Sequence, residues 1–166
     1  MPIARFNLPG AGQRLLWCLA WVCLPWACLP WAIGASAAEV EFRPDVGSLP
    51  PGLPFSAAVR VGDTYYLSGQ VGTQPGVDTL VPGGIEPEAR QTLENIRGVL
   101  KKLNLGPENV VKCTVMLDDI DEWGQFNAIY QDFFAPPYPA RSAFGTDGLA
   151  LGARVEVECI AARSPR

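Results

Sequence analysis

Pro139-Ala140-Arg141-Ser142, and Glu156 fifteen residues beyond Arg141, are the residues of this chain whose types and spacing offer chemistry. Arg141 stands between a proline turn and a β-prone segment. Glu156 falls inside Arg154-Val155-Glu156-Val157-Glu158-Cys159-Ile160-Ala161, which reads as the next strand. A guanidinium holds a carboxylate through two parallel hydrogen bonds and stays charged at any working pH. A glutamate beside it can orient and deprotonate a water. On spacing alone the commoner arrangement is blander, a surface cation and one of several acids on an exposed strand face.

The residue types that are missing narrow the chemistry. The 166 residues include no histidine, which removes Ser-His-Asp and Cys-His nucleophiles, the usual general base near neutral pH and His-based metal sites. Proton transfer is left to a carboxylate, Tyr, Lys, Cys or water. The formal net charge is −4, and setting aside Arg5 and Arg14 of the leader leaves 11 basic against 17 acidic residues, or −6. No nucleic-acid partner is expected, because affinity for a phosphate backbone comes from basic residues that release counterions. Neither a metal nor a cofactor is expected, and no glycine fingerprint for phosphate is present.

The elements that must position these groups follow a leader. In residues 1–38, Arg5 and Arg14 precede an apolar run from Leu15 to Ile33, and Ala35-Ser36-Ala37-Ala38 supplies small residues for a peptidase. This reads as a secretory signal peptide, with a periplasmic or secreted mature chain beginning near Glu39 and free of the membrane after cleavage. An uncleaved anchor is the rival reading, since the run approaches bilayer-spanning length, but Pro25 and Pro30 interrupt it. Cys18, Cys23 and Cys28 belong to the leader. Cys113 and Cys159 stand in apolar segments without CxxC spacing and read as buried structural thiols, with one disulfide open to them in an oxidising compartment.

Residues 39–54, rich in proline and glycine, read as an extended N-terminal arm, and residues 55–166 as a single domain. Ala58 to Val61, Gly62-Asp63 and Thr64 to Ser68 have the pattern of a β-hairpin. A loop with a short strand near Thr79-Leu80-Val81 leads to a helix over 86–104, with Ala89, Leu93, Ile96, Leu100 and Leu103 on one stripe and Gly106 as its stop. Val110 to Leu117 is apolar at both pleat positions, the mark of a central strand covered on both sides. A second helix from Asp118–Asp121 to Phe134 carries Trp123, Phe126, Tyr130 and Phe133 as its apolar stripe. A last strand over 153–162 alternates Val155, Val157 and Cys159 with Glu156 and Glu158. The order of elements is that of an α+β sandwich, a sheet with both helices on one face.

Five stretches give this pattern a second support. Leu67-Ser68-Gly69-Gln70-Val71, Gln91-Thr92-Leu93-Glu94-Asn95-Ile96, Asn109 to Val115, Phe126 to Phe134, and Pro139-Ala140-Arg141-Ser142 to Glu158 stand in the order and spacing of the RidA/YjgF family, which the chain resembles over nearly everything after residue 50. The resemblance implies a chorismate mutase-like fold with a mixed sheet, assembled as a homotrimer with clefts between subunits. It implies an enamine/imine deaminase that converts 2-aminoacrylate-type 2-imino acids to 2-keto acids and ammonia. The family's essential arginine falls on Arg141 and its water-activating glutamate on Glu156. Its cleft-lining positions fall on Ser68, Gly69 and Asn127. Phe55 stands where archetypal members carry a cleft tyrosine, and Ala143 where they carry a cysteine. Two alternatives stay open: a non-catalytic trimeric binder of small carboxylates anchored by Arg141, and a likeness to members described as ribonucleases or translation inhibitors.

Overall fold

The computed structural model describes residues 37–47 and 52–163. The signal-peptide reading lies outside the described residues, apart from Ala37 and Ala38. Six strands make one mixed sheet: β1 (Val40–Arg43), β2 (Ala58–Val61), β3 (Thr64–Leu67), β4 (Val110–Leu117), β5 (Ala140–Gly145) and β6 (Val155–Ala162), in the order β1-β2-β3-β6-β4-β5. Helices α1 (Ile85–Lys102) and α2 (Trp123–Phe133) pack together on one face.

The hairpin forms where its alternation and its Gly62 turn place it, with Ala58 opposite Leu67 and Val61 opposite Thr64. Gly62 sits at φ 59, a left-handed conformation that costs a residue without Cβ little. The arm is more than an arm. Val40 to Arg43 pairs antiparallel with β2, and Val46 beyond it is fully buried. Four residues are too short a run for periodicity to be read from sequence, so the strand is created by the hairpin edge it joins. The strand expected near Thr79-Leu80-Val81 is only an isolated bridge between Thr73 and Leu80.

Helix α1 buries Ala89, Leu93, Ile96 and Leu100 as its stripe foretells, with Glu86 and Glu88 in its first turn and Lys101 and Lys102 in its last, matching the helix dipole. Its stop is Asn104 rather than Gly106. Asn104 takes φ 57, its amide donates to the Lys101 carbonyl, and the Leu105 amide donates to the Leu100 carbonyl, which closes a Schellman turn. Asparagine tolerates this conformation better than most residues, and Gly106 is left extended.

Strand β4 lies between β6 and β5, antiparallel to the first and parallel to the second. Its two faces differ from the expectation. Cys113, Val115 and Leu117 are buried toward the helices, but the alternate residues Lys112, Thr114 and Met116 are only half-buried. In a single chain the second sheet face is open, and Phe42, Tyr66 and Phe144 stand exposed on it. The core lies between sheet and helices, where Leu93, Ile96, Val115, Phe126, Val155 and Val157 are fully buried. Each such side chain contributes about 1.5–3 kcal/mol through removal from water.

Cys113 and Cys159 are disulfide-bonded rather than free thiols. They face each other directly across β4 and β6, both on the helix side. A sequence separation of 46 conceals a pairing that the β4–β6 register brings within bonding reach.

Candidate active site

Arg141 is the second residue of β5, the edge strand that follows the proline turn. The pleat sends its side chain to the helix face of the sheet, where α2 receives it. Asn127, Tyr130 and Trp123 share one side of α2 at helical spacing. Arg141 Nη2 donates to Asn127 Oδ1 at 2.8 Å, and the guanidinium lies 4.6 Å from the Tyr130 ring centroid and 5.5 Å from that of Trp123. Stacking on aromatic faces and one carbonyl bond orient the planar fork and leave donors free. A cavity of 230 Å³ opens here between Asn127, Tyr130, Gln131, Tyr138, Pro139 and Arg141. Burial pushes the Tyr130 hydroxyl up to about 12, against the opposing pull of Arg141, so the phenol stays neutral and is no base at physiological pH. Ala143, two residues on, points the same way and packs against the core.

Glu156 is the second residue of β6, half-buried on the open face. Burial first, and the Glu158 carboxylate second, push its carboxyl above the ordinary glutamate value. It lines a cleft of 420 Å³ together with Leu53, Phe55, Gly69 and Leu151. Several contacts hold this part of the sheet. The Arg154 amide donates to Glu88 Oε2 at 2.9 Å, and the Arg154 guanidinium grips Glu122 through both carboxylate oxygens. Gln70 exchanges backbone hydrogen bonds with Val157 and so lays the Gly69–Gln70 segment alongside Glu156. Ser68 takes no part in lining the cleft; its hydroxyl donates to the Ser56 carbonyl at 2.7 Å.

One chain does not bring Arg141 and Glu156 together. The expectation of adjacent strands is corrected by the sheet order, since β4 runs between β5 and β6. Arg141 is opposite Cys113 and Glu156 is opposite Met116. Cys113 and Met116 are an odd number of residues apart on β4, so the two charged groups emerge on opposite faces. Asn127 goes with Arg141; Phe55 and Gly69 go with Glu156.

Residues 47–163 match the family described as Endoribonuclease L-PSP. The chain belongs to the RidA/YjgF family. It is 46% identical over 112 residues to a 2-iminobutanoate/2-iminopropanoate deaminase of Mus musculus, covering 68% of this chain and 83% of the relative. It is 42% identical over 112 residues to the protein of the same name in Homo sapiens, at 68% and 82% coverage. The fold superposes on the crystal structure of RidA from an Antarctic Psychrobacter bacterium with a TM-score of 0.68 and 33% identity, covering 74% of this chain and all but 2% of that one.

In this RidA-family chain, Trp123 and Tyr130 are the neighbours of the Arg141 guanidinium that sequence reasoning assigned to the core alone. Their spacing from Asn127 was the available signal, because three positions four and three residues apart must share a helix side. Gly69 has a sharper requirement than a turn. A Cβ placed there would lie 1.9 Å from Glu156 Oε1 and 2.9 Å from its Cδ. The Glu156 carboxyl end is flexible enough to swing aside, so Gly69→Ala is expected to fold normally and to lower turnover roughly tenfold to a hundredfold by displacing that carboxylate. Thermal melting and steady-state kinetics on the same sample check both halves.

Proposed function

We propose that this protein is an enamine/imine deaminase that hydrolyses 2-imino acids of the 2-aminoacrylate type to 2-keto acids and ammonia. The observation that carries the reading is the pair Arg141 and Glu156, each at the mouth of a cleft and each at the position that serves the family's reaction. Arg141, pre-oriented by Asn127 and Tyr130, binds the substrate carboxylate bidentately. Glu156 takes a proton from a water as its oxygen bonds to the imine carbon, and the C=N electron pair moves to nitrogen, which gains a proton. Passage of the hydroxyl proton to that nitrogen, with Glu156 as the relay, then expels ammonia as the C–N bond breaks and the keto C=O forms. An imine is already electrophilic, so positioning and one base supply most of what the step requires. Release of 2-keto acid from freshly generated 2-imino acids, above the uncatalysed rate, is the test. A protein that binds the carboxylate without turnover would instead be a binder. The family description names a ribonuclease, but the net charge of −4 and the two carboxylates lining the larger cleft, Glu156 and Asp78, oppose a phosphate backbone.

The working unit in this reading is a homotrimer. Arg141 and Glu156 lie on opposite faces of one sheet, so the Arg141 of one copy must meet the Glu156 of another for both to touch one substrate. The open sheet face with Phe42, Tyr66 and Phe144 is the surface that a second and third copy would bury. Light scattering is expected to give three times the subunit mass, and a stable monomer at micromolar concentration with full activity would remove this assembly.

The reading also places the mature protein outside the cytoplasm. The leader pattern supports it, and the Cys113–Cys159 disulfide suits an oxidising compartment. Mass spectrometry of protein from fractionated cells is expected to find a chain beginning near Glu39, two hydrogens lighter than its dithiol form. An intact Met1 on soluble cytoplasmic protein would end the export proposal.

A further inference from the structure

The Glu156 cleft has an unusual lining for a site meant to hold a three- or four-carbon acid. Leu53, Phe55 and Leu151 all present exposed side chains to it, and Val71 and Ala150 add further apolar surface. Exposed leucines scattered singly mean little, but three large apolar side chains around one concave site mark a binding surface. Leu151 is 62% exposed and sits at φ 61, a left-handed conformation that asparagine or glycine takes far more readily than leucine. Neither solvent nor backbone favours leucine at that position.

Charge sets the orientation of a substrate. The charged groups lining this cleft are Glu156 and Asp78, both acidic. Asn95 is spoken for, since its amide nitrogen donates to the Val71 and Thr73 carbonyls and its oxygen accepts from Gln91. A substrate carboxylate is therefore repelled from the cleft floor and drawn outward to an arginine, and the end of the molecule remote from the carboxylate faces Leu53, Phe55 and Leu151. In the single chain the cleft measures 420 Å³, well beyond the needs of a methyl or ethyl side chain.

We infer that Leu53, Phe55 and Leu151 form a specificity pocket, and that the preferred substrates are 2-imino acids with a branched or aromatic apolar side chain. This inference rests on the deaminase reading and deepens it. Each extra methylene in an apolar pocket is worth roughly tenfold to two-hundredfold in kcat/KM, so the preference accumulates over a leucine-sized side chain.

The test generates imines in situ from alanine, leucine and phenylalanine and measures keto-acid release for each. The leucine- and phenylalanine-derived imines are expected to exceed the alanine-derived imine in kcat/KM by roughly tenfold or more. Leu151→Asn, which suits the left-handed backbone, is expected to lower the leucine-to-alanine ratio by about tenfold. Turnover with a ratio near one, or with alanine favoured, overturns the pocket and leaves the deaminase reading standing. No turnover with any imine defeats the deaminase reading itself. If Leu151→Asn lowers all substrates in proportion and light scattering shows loss of assembly, Leu151 is a subunit contact and the pocket assignment falls.

Discussion

Arg141→Ala is expected to lose both binding and turnover, with kcat/KM falling roughly thirtyfold to several-thousandfold, the equivalent of about 2–5 kcal/mol for truncating one partner of a hydrogen-bonded charge pair. The size follows from how little else can hold the substrate carboxylate. The cleft beside Glu156 offers no cation, and the 230 Å³ cavity above α2 has Arg141 as its cationic lining residue. Arg141→Lys is expected to recover little. Lysine keeps a charge but loses the planar fork, the 2.8 Å bond to Asn127 Oδ1 and the flat contact with the Tyr130 ring. Stability changes little in either variant, since the Arg141 side chain is itself only half-buried. Steady-state kinetics with a 2-imino acid, alongside titration of a stable 2-keto acid, measures both effects. Equal activity in wild type and Arg141→Ala would place the anchor elsewhere.

Glu156→Gln is expected to separate binding from chemistry. Glutamine fills the same volume and accepts a hydrogen bond but cannot take a proton, so ligand affinity holds while turnover falls about a hundredfold or more. The wild-type pH profile carries the same signature. Burial and the neighbouring Glu158 hold the Glu156 carboxyl above its ordinary value, so the acid limb of kcat/KM is expected to lie above the usual glutamate range and to vanish in Glu156→Gln. The linkage runs against stability. A carboxyl with a raised folded-state pKa binds more protons folded than unfolded, so its contribution is most favourable below the unfolded value and is lost as pH rises through the folded one. Glu156→Gln is therefore expected to melt no lower than wild type at neutral pH. A variant that is both inactive and markedly less stable would make Glu156 a structural residue.

Much of this was readable along the chain. The steps of three and four that bury Ala89, Leu93, Ile96 and Leu100, the hairpin at Gly62, and the alternation that buries Val155 and Val157 are local patterns. A helix or strand exposes its period within ten residues. Arg141 and Glu156 could also be singled out as candidates, because they stand in motifs whose order along the chain survives without coordinates. Non-local pairing was not legible. Strand period says which residues of β6 share a face, but nothing in β5 or β6 says that β4 runs between them, so the expected neighbours Arg141 and Glu156 prove to sit two strands apart on opposite faces. The same gap hid the disulfide, since Cys113 and Cys159 meet only through the β4–β6 register. It hid β1, which is a strand because β2 offers it an edge. Even the helix stop moved from Gly106 to Asn104, where packing of Leu103 and Leu105 onto the core turns the chain before the glycine is reached. Local periodicity is written in single residues; register, face and neighbour are properties of pairs, and only the folded chain brings those pairs into contact.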